Sequence, residues 1–140
     1  MGELNSRFIS LTMALDRLDE SLGSFKNNKI SQNTLLYSQI RDSVIKRFEF
    51  CVDIFWKCLK DYLSKKHGIS VASPKSSLKE CLAQKLISSS EFIYLDKMID
   101  DRNNTSHCYD ELLSEKIAQK VFEYFKLMKS VEQRLNKSIS

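Results

Sequence analysis

The chain is poor in the residues that interrupt helices. It has three glycines and one proline in 140 residues. Strand-like alternation of apolar and polar positions is also missing, which argues against a sheet. No apolar stretch approaches the roughly 20 residues that a membrane span needs. The first residues, MGELNSRFISLTMALDRL, lack the basic start, apolar stretch and cleavage site of a secretion signal. Met-Gly opens the chain, but acylation there would require the start of a helix to be freed. Histidine is scarce, with two in the chain, and no cysteine–histidine spacing suits zinc. No CxxC occurs. Cys51 and Cys58 are seven apart on a helix, about 10 Å along its axis, too far for a disulfide. The four cysteines therefore read as free thiols, buried or half-buried, in a reducing cytosol.

What remains is a soluble globular composition, 42% hydrophobic and 29% charged, of a length that fits one domain over residues 1–140. The net charge of +4 permits nucleic-acid contact without demanding it.

Helical spacing runs almost end to end. Leu4, Phe8, Leu11, Leu15, Leu18 and Leu22 recur at threes and fours and predict a first helix over 3–25. A polar turn, GSFKNNKISQNT, ends it. The longest helix is predicted over 34–66, with Ile40, Val44, Phe48, Cys51, Val52, Phe55, Leu59 and Tyr62 as a wide apolar stripe. KKHG closes it, with basic residues in the last turn and then glycine. Ser73-Pro74 supplies an N-cap and a first-turn proline for a third helix, about 74–87. SSSE begins a short fourth, about 89–101. A fifth spans about 111–136 on Leu113, Ile117, Val121, Phe122, Phe125, Met128, Val131 and Leu135. The expected fold is all-α: an antiparallel, up-and-down bundle of four to five helices.

Between the last two helices lies DRNNTSHCYD, residues 101–110. Asn-Asn-Thr-Ser forms helix poorly. The stretch gathers Arg102, His107, Cys108 and Tyr109. On an unbroken helix Arg102 and His107 would sit about 140° apart. A break at Asn103-Asn104 would swing them toward one cleft. Histidine moves protons near neutral pH, and arginine grips phosphate with a fork of donors. Together they suit cleavage of RNA by its own 2′-hydroxyl, without a metal and leaving a 2′,3′-cyclic phosphate. The same pair also serves as a cap or a turn contact, and residue types alone leave both readings open. His67 in KKHG is explained by the helix end.

Arg102-Asn-Asn-Thr-Ser-His107-Cys-Tyr109 resembles the R-x4-H-x-Y motif of HEPN-domain proteins of the HepT toxin type. Three blocks resemble the sister nucleotidyltransferase substrate-binding group more closely: RDSVIKRFEFCVDIFWKCLKDYL (41–63), SPKSSLKECLAQKLI (73–87) and MIDDRNNTSHCYDE (98–111). The resemblance spans nearly the whole chain. It implies a helical bundle that forms a homodimer, with the R-x4-H segments of two subunits meeting in a cleft. It implies a cytoplasmic metal-independent endoribonuclease with no cofactor, RNA as substrate, and an MNT-type nucleotidyltransferase antitoxin as partner. Arg102 and His107 would be catalytic and Asn103 supporting. Tyr109 would be the site of AMPylation. The alternative is a non-catalytic subunit that presents a substrate to a nucleotidyltransferase. Glu49 and Trp56, seven apart on one stripe of the second helix, are candidates for the cleft or dimer contact. Glu49 would pair with Arg102 or Arg47.

Overall fold

The computed structural model describes residues 2–27, 31, 34–107 and 110–139. Five α-helices and one short 3₁₀ turn account for nearly all of them. In chain order they are α1 (Gly2–Lys26), α2 (Leu35–His67), α3 (Pro74–Ala83), α4 (Ser89–Asn104) and α5 (Glu111–Ile139), with the 3₁₀ turn Thr105–His107 between α4 and α5.

Four of the helices, α2 to α5, begin where the local chemistry says they should. Thr34 caps α2 by accepting from the backbone N–H of Tyr37. Ser73 and Ser88 cap α3 and α4, each in a reciprocal box with the residue three positions on, Ser76 and Glu91. Asp110 Oδ1 accepts from the N–H groups of Leu112 and Leu113 at 3.0 and 3.2 Å and opens α5. Gly68 ends α2 in the left-handed region, φ 66°.

Helix directions follow from which residues meet. Arg7 reaches Asp61 at 2.6 Å and Arg47 reaches the carbonyl of Arg17 at 2.8 Å, so α1 and α2 run antiparallel. Thr12 bonds Glu132 and Phe25 stacks on Phe122, so α1 and α5 are antiparallel too. Glu91 meets Arg134 while Asp101 meets Tyr124, which sets α4 antiparallel to α5. Thus α1, α2, α4 and α5 form an antiparallel, up-and-down bundle, and the short α3 packs on α2 and α4.

The apolar stripes read from the sequence turn inward. Leu4, Leu11, Leu15, Leu18, Phe48, Phe55, Leu59, Leu78, Leu95, Met98, Ile117 and Val131 are almost fully shielded. Each large side chain buried this way contributes about 1.5–3 kcal/mol from the hydrophobic effect. Cys51, Cys58 and Cys81 are buried free thiols, and burial pushes each up to about 12. Among the described residues, no helix is long and apolar enough to cross a membrane.

Three helix ends differ from the periodicity reading; α5 runs on to Ile139 instead of ending near 136. α3 stops at Ala83 instead of near 87. Lys85 takes a positive φ of 61°, and Leu86 N–H bonds back to Cys81 O at 2.8 Å while Lys85 N–H bonds Leu82 O at 3.0 Å. This is a Schellman closure built without glycine. α4, expected to end near 101, continues through Asn104, and no break occurs at Asn103-Asn104. Thr105 Oγ1 donates to Arg102 O at 2.7 Å and Ser106 Oγ to Asn103 O at 3.1 Å. The poor helix formers thus satisfy the last carbonyls and tighten the chain into the 3₁₀ turn.

Candidate functional site

Arg102 lies in the last turn of α4 and is about three-quarters shielded, with 27% of its side chain exposed. It points at the middle of α2. Its Nε donates to Asp53 Oδ1 and its Nη2 to Asp53 Oδ2, both at 3.0 Å. Nη1 donates to Thr105 Oγ1 at 3.2 Å. Paired hydrogen bonds to Asp53, then the negative fields of Asp53 and Glu49, raise the guanidinium pKa despite partial burial. A planar fork on a carboxylate is the strongest geometry for such a pair. Thr105, itself buried, bonds both the side chain and the carbonyl of Arg102.

The neighbouring Asp101 faces α5. It accepts from Tyr124 Oη at 2.6 Å and lies 3.5 Å from Lys120 Nζ. Tyr124 stacks on Phe48, ring centroids 5.8 Å apart. Burial first, and then the Asp101 carboxylate, raise the Tyr124 phenol pKa. The end of α4 is therefore tied to α2 through Arg102 and to α5 through Asp101.

Asn103 is exposed in the last turn of α4, and His107 is exposed at the end of the 3₁₀ turn. Tyr109 and Cys108 lie outside the described residues. The expected break at Asn103-Asn104 is replaced by a 3₁₀ turn that begins one residue later, at Thr105.

Glu49 sits within reach of Lys46 Nζ at 3.9 Å, one turn earlier on α2. The fork of Arg102 goes to Asp53, and Arg47 goes to Arg17 O and, at 3.5 Å, to Glu20. Glu49 acts on Arg102 through its field alone. Trp56 is half-buried, with Lys60 Nζ 6.0 Å from its ring centre. Sequence reasoning passed over Asp53 and Thr105. A signal for Asp53 existed: it falls four residues after Glu49 and three before Trp56, on the same stripe.

A second polar cluster joins the starts of α2 and α5. Arg41, almost fully shielded, meets Glu111 at 2.7 Å, and Tyr37 donates to Glu115. Burial and the Glu115 carboxylate push Tyr37 up to about 12. Among the described residues, no group of three or more histidine, cysteine or acidic side chains is gathered as a metal site.

Comparison with known proteins places this geometry. The family model described as nucleotidyltransferase substrate binding protein like matches residues 6–137. A Thermus thermophilus protein of known crystal structure is 32% identical. It aligns over 84% of this chain and 98% of its own, with a TM-score of 0.70. The tri-AMPylated HEPN toxin of Shewanella oneidensis, in complex with its MNT antitoxin, is 17% identical over 96% of both chains, with a TM-score of 0.72. A mutant of the MntA-HpeT toxin–antitoxin pair is 15% identical over 99% of both chains, with a TM-score of 0.75. The last two likenesses concern the fold. No curated protein shows a match to the chain. A family model covering nearly all of the chain makes it a member of the nucleotidyltransferase substrate binding protein like family, and its bundle has the fold of the HEPN toxins.

Proposed function

We propose that this chain is the HepT-like toxin of a HEPN/MNT toxin–antitoxin pair, and that it is a metal-independent endoribonuclease. The observation that carries this reading is Arg102. A guanidinium anchored by three contacts, and still partly open to solvent, is poised to hold a phosphodiester. His107, exposed five residues later, takes the proton of a ribose 2′-hydroxyl or returns one to the leaving oxygen. The 2′-oxygen attacks phosphorus, the bond to the 5′-oxygen breaks, and that oxygen takes a proton. The products are a 2′,3′-cyclic phosphate and a 5′-hydroxyl. Arg102 stabilises the charge that builds on the phosphoryl oxygens. Asn103, exposed beside Arg102, supports the site by contacting substrate.

A single subunit offers one arginine–histidine pair, and acid–base cleavage is easier with two histidines, which favours a composite cleft in a homodimer. Glu49 and Trp56 on α2 then lie near the cleft or the dimer contact. The free, buried thiols suit a cytoplasmic protein. Regulation follows by AMPylation from the MNT-type nucleotidyltransferase antitoxin. The Tyr109 hydroxyl attacks the α-phosphorus of ATP and pyrophosphate leaves. Each added AMP brings negative charge and a base next to His107, and repels an RNA backbone.

The test is incubation of a mixed RNA pool in EDTA with the purified, mass-verified unmodified protein, beside His107→Ala. Cleavage with cyclic-phosphate ends by the wild type, absent from the variant, is the expected result. Absence of cleavage by unmodified protein overturns it. It leaves the alternative that the family description favours, a non-catalytic subunit that binds a nucleotidyltransferase's substrate.

A further inference from the structure

Asp53 is a carboxylate with no place in the R-x4-H motif, 49 residues before Arg102, yet it takes two of that arginine's hydrogen bonds. Arginine carries five N–H donors. Asp53 occupies the Nε–H and one on Nη2, and Thr105 occupies one on Nη1. These contacts leave one N–H on each terminal nitrogen for further acceptors, such as the oxygens of a phosphoryl group. A surface arginine would have several flexible bonds to order on binding. This one is already ordered, so the cost is met in folding and not at each turnover.

We propose that Asp53 is the positioning residue of the phosphoryl-transfer site, fixing the Arg102 fork so that its two remaining N–H groups face the scissile phosphodiester. The inference rests on the reading of Arg102 as the charge-stabilising group. Asp53 touches neither substrate nor reacting atoms; it acts through the guanidinium. Its second consequence is selectivity. Asp53 cancels much of the arginine's charge, and Glu49 adds a further negative field. A singly charged diester is accepted there more readily than a doubly charged terminal phosphate, so the site favours internal bonds over chain ends.

The test compares Asp53→Asn and Asp53→Glu in wild-type and Arg102→Ala backgrounds. Asp53 is 45% exposed, and circular dichroism and thermal melting confirm that each variant folds. Loss of a supporting contact of this kind costs about 10–100-fold. Asp53→Asn is expected to lower kcat by that factor with KM within about threefold. Asp53→Glu, which keeps the charge but moves the carboxylate, is expected to lower kcat as well. In the Arg102→Ala background neither change lowers the residual rate further. An equal further loss in that background, or a rise in KM at unchanged kcat, overturns the proposal. An independent readout is the Arg102 Nε–H in nitrogen-15 spectra. It exchanges slowly with solvent in the wild type, and Asp53→Asn abolishes that protection. Protection that survives the substitution refutes the hold of Asp53 on Arg102. If the wild type cleaves no RNA, the ribonuclease reading fails while this spectrum still decides the positioning.

Discussion

Glu91 offers a direct measurement of how α4 is held against α5. It is the third residue of α4, and its Oε1 accepts from Ser88 N–H at 2.9 Å. The same carboxylate receives both terminal nitrogens of Arg134, at 2.8 and 2.9 Å, while Arg134 also reaches Leu86 O at 3.1 Å. The Arg134 hydrogen bonds hold the Glu91 carboxyl below the usual carboxylate range, and burial opposes them. Glu91→Gln keeps an oxygen for the Ser88 N–H but removes the charge. A charge-assisted bond contributes about 1.5–3 kcal/mol when well shielded. Arg134 is 44% exposed, so solvent screening cuts that to about 1 kcal/mol. At this chain length that is a fall of about 3–5 °C in Tm. The sign of the pH dependence follows from the lowered carboxyl pKa. The contribution is complete above the unfolded-state pKa and disappears as pH falls through the lower folded-state value. Urea unfolding of wild type and variant at pH 7 and near pH 3 checks this. The stability gap is expected at pH 7 and closed in acid. A gap of equal size at both pH values refutes the reasoning, because a protonated Glu91 no longer differs in charge from glutamine.

Other expectations follow from packing and backbone. Phe48→Ala removes a ring with 0% exposure that stacks on Tyr124, and is expected to cost about 3–5 kcal/mol in chemical denaturation. Cys51, Cys58 and Cys81 are expected to resist a thiol-labelling reagent at pH 8 in the native protein and to react on unfolding, as peptide mapping reads out. Gly68→Ala forces a side chain into a φ of 66° and is expected to lower stability by about 1 kcal/mol, read from the melting midpoint.

The long helices were legible because their apolar residues recur at helical spacing, and burial of a stripe is what a sequence encodes most directly. Leu4 to Leu22 and Ile117 to Leu135 turned inward as their spacing required. The end of α3 was less legible. The usual glycine signal is absent there, and Lys85 adopts the glycine conformation under the pull of two backbone hydrogen bonds. The end of α4 misled for a different reason. Low helix propensity in Asn-Asn-Thr-Ser was outweighed by threonine and serine hydroxyls that cap the carbonyls behind them. At the candidate site, Arg102 and His107 could be picked out by chemistry and by motif. Spacing along α2 placed Asp53 on the stripe of Glu49 and Trp56, but it does not say which side chain of another helix a residue will meet, so the pairing with Arg102 was not legible.

Lys85 has a consequence for how this protein can be altered. A side chain in the left-handed region carries a steric cost of about 1–2 kcal/mol that glycine does not. Its place in the α3–α4 connection is far along the chain from Arg102, so this penalty is not forced by the candidate chemistry. The connection therefore holds an unused reserve of stability. Lys85→Gly releases it by relieving the backbone, and so gives room for destabilising changes elsewhere in the bundle.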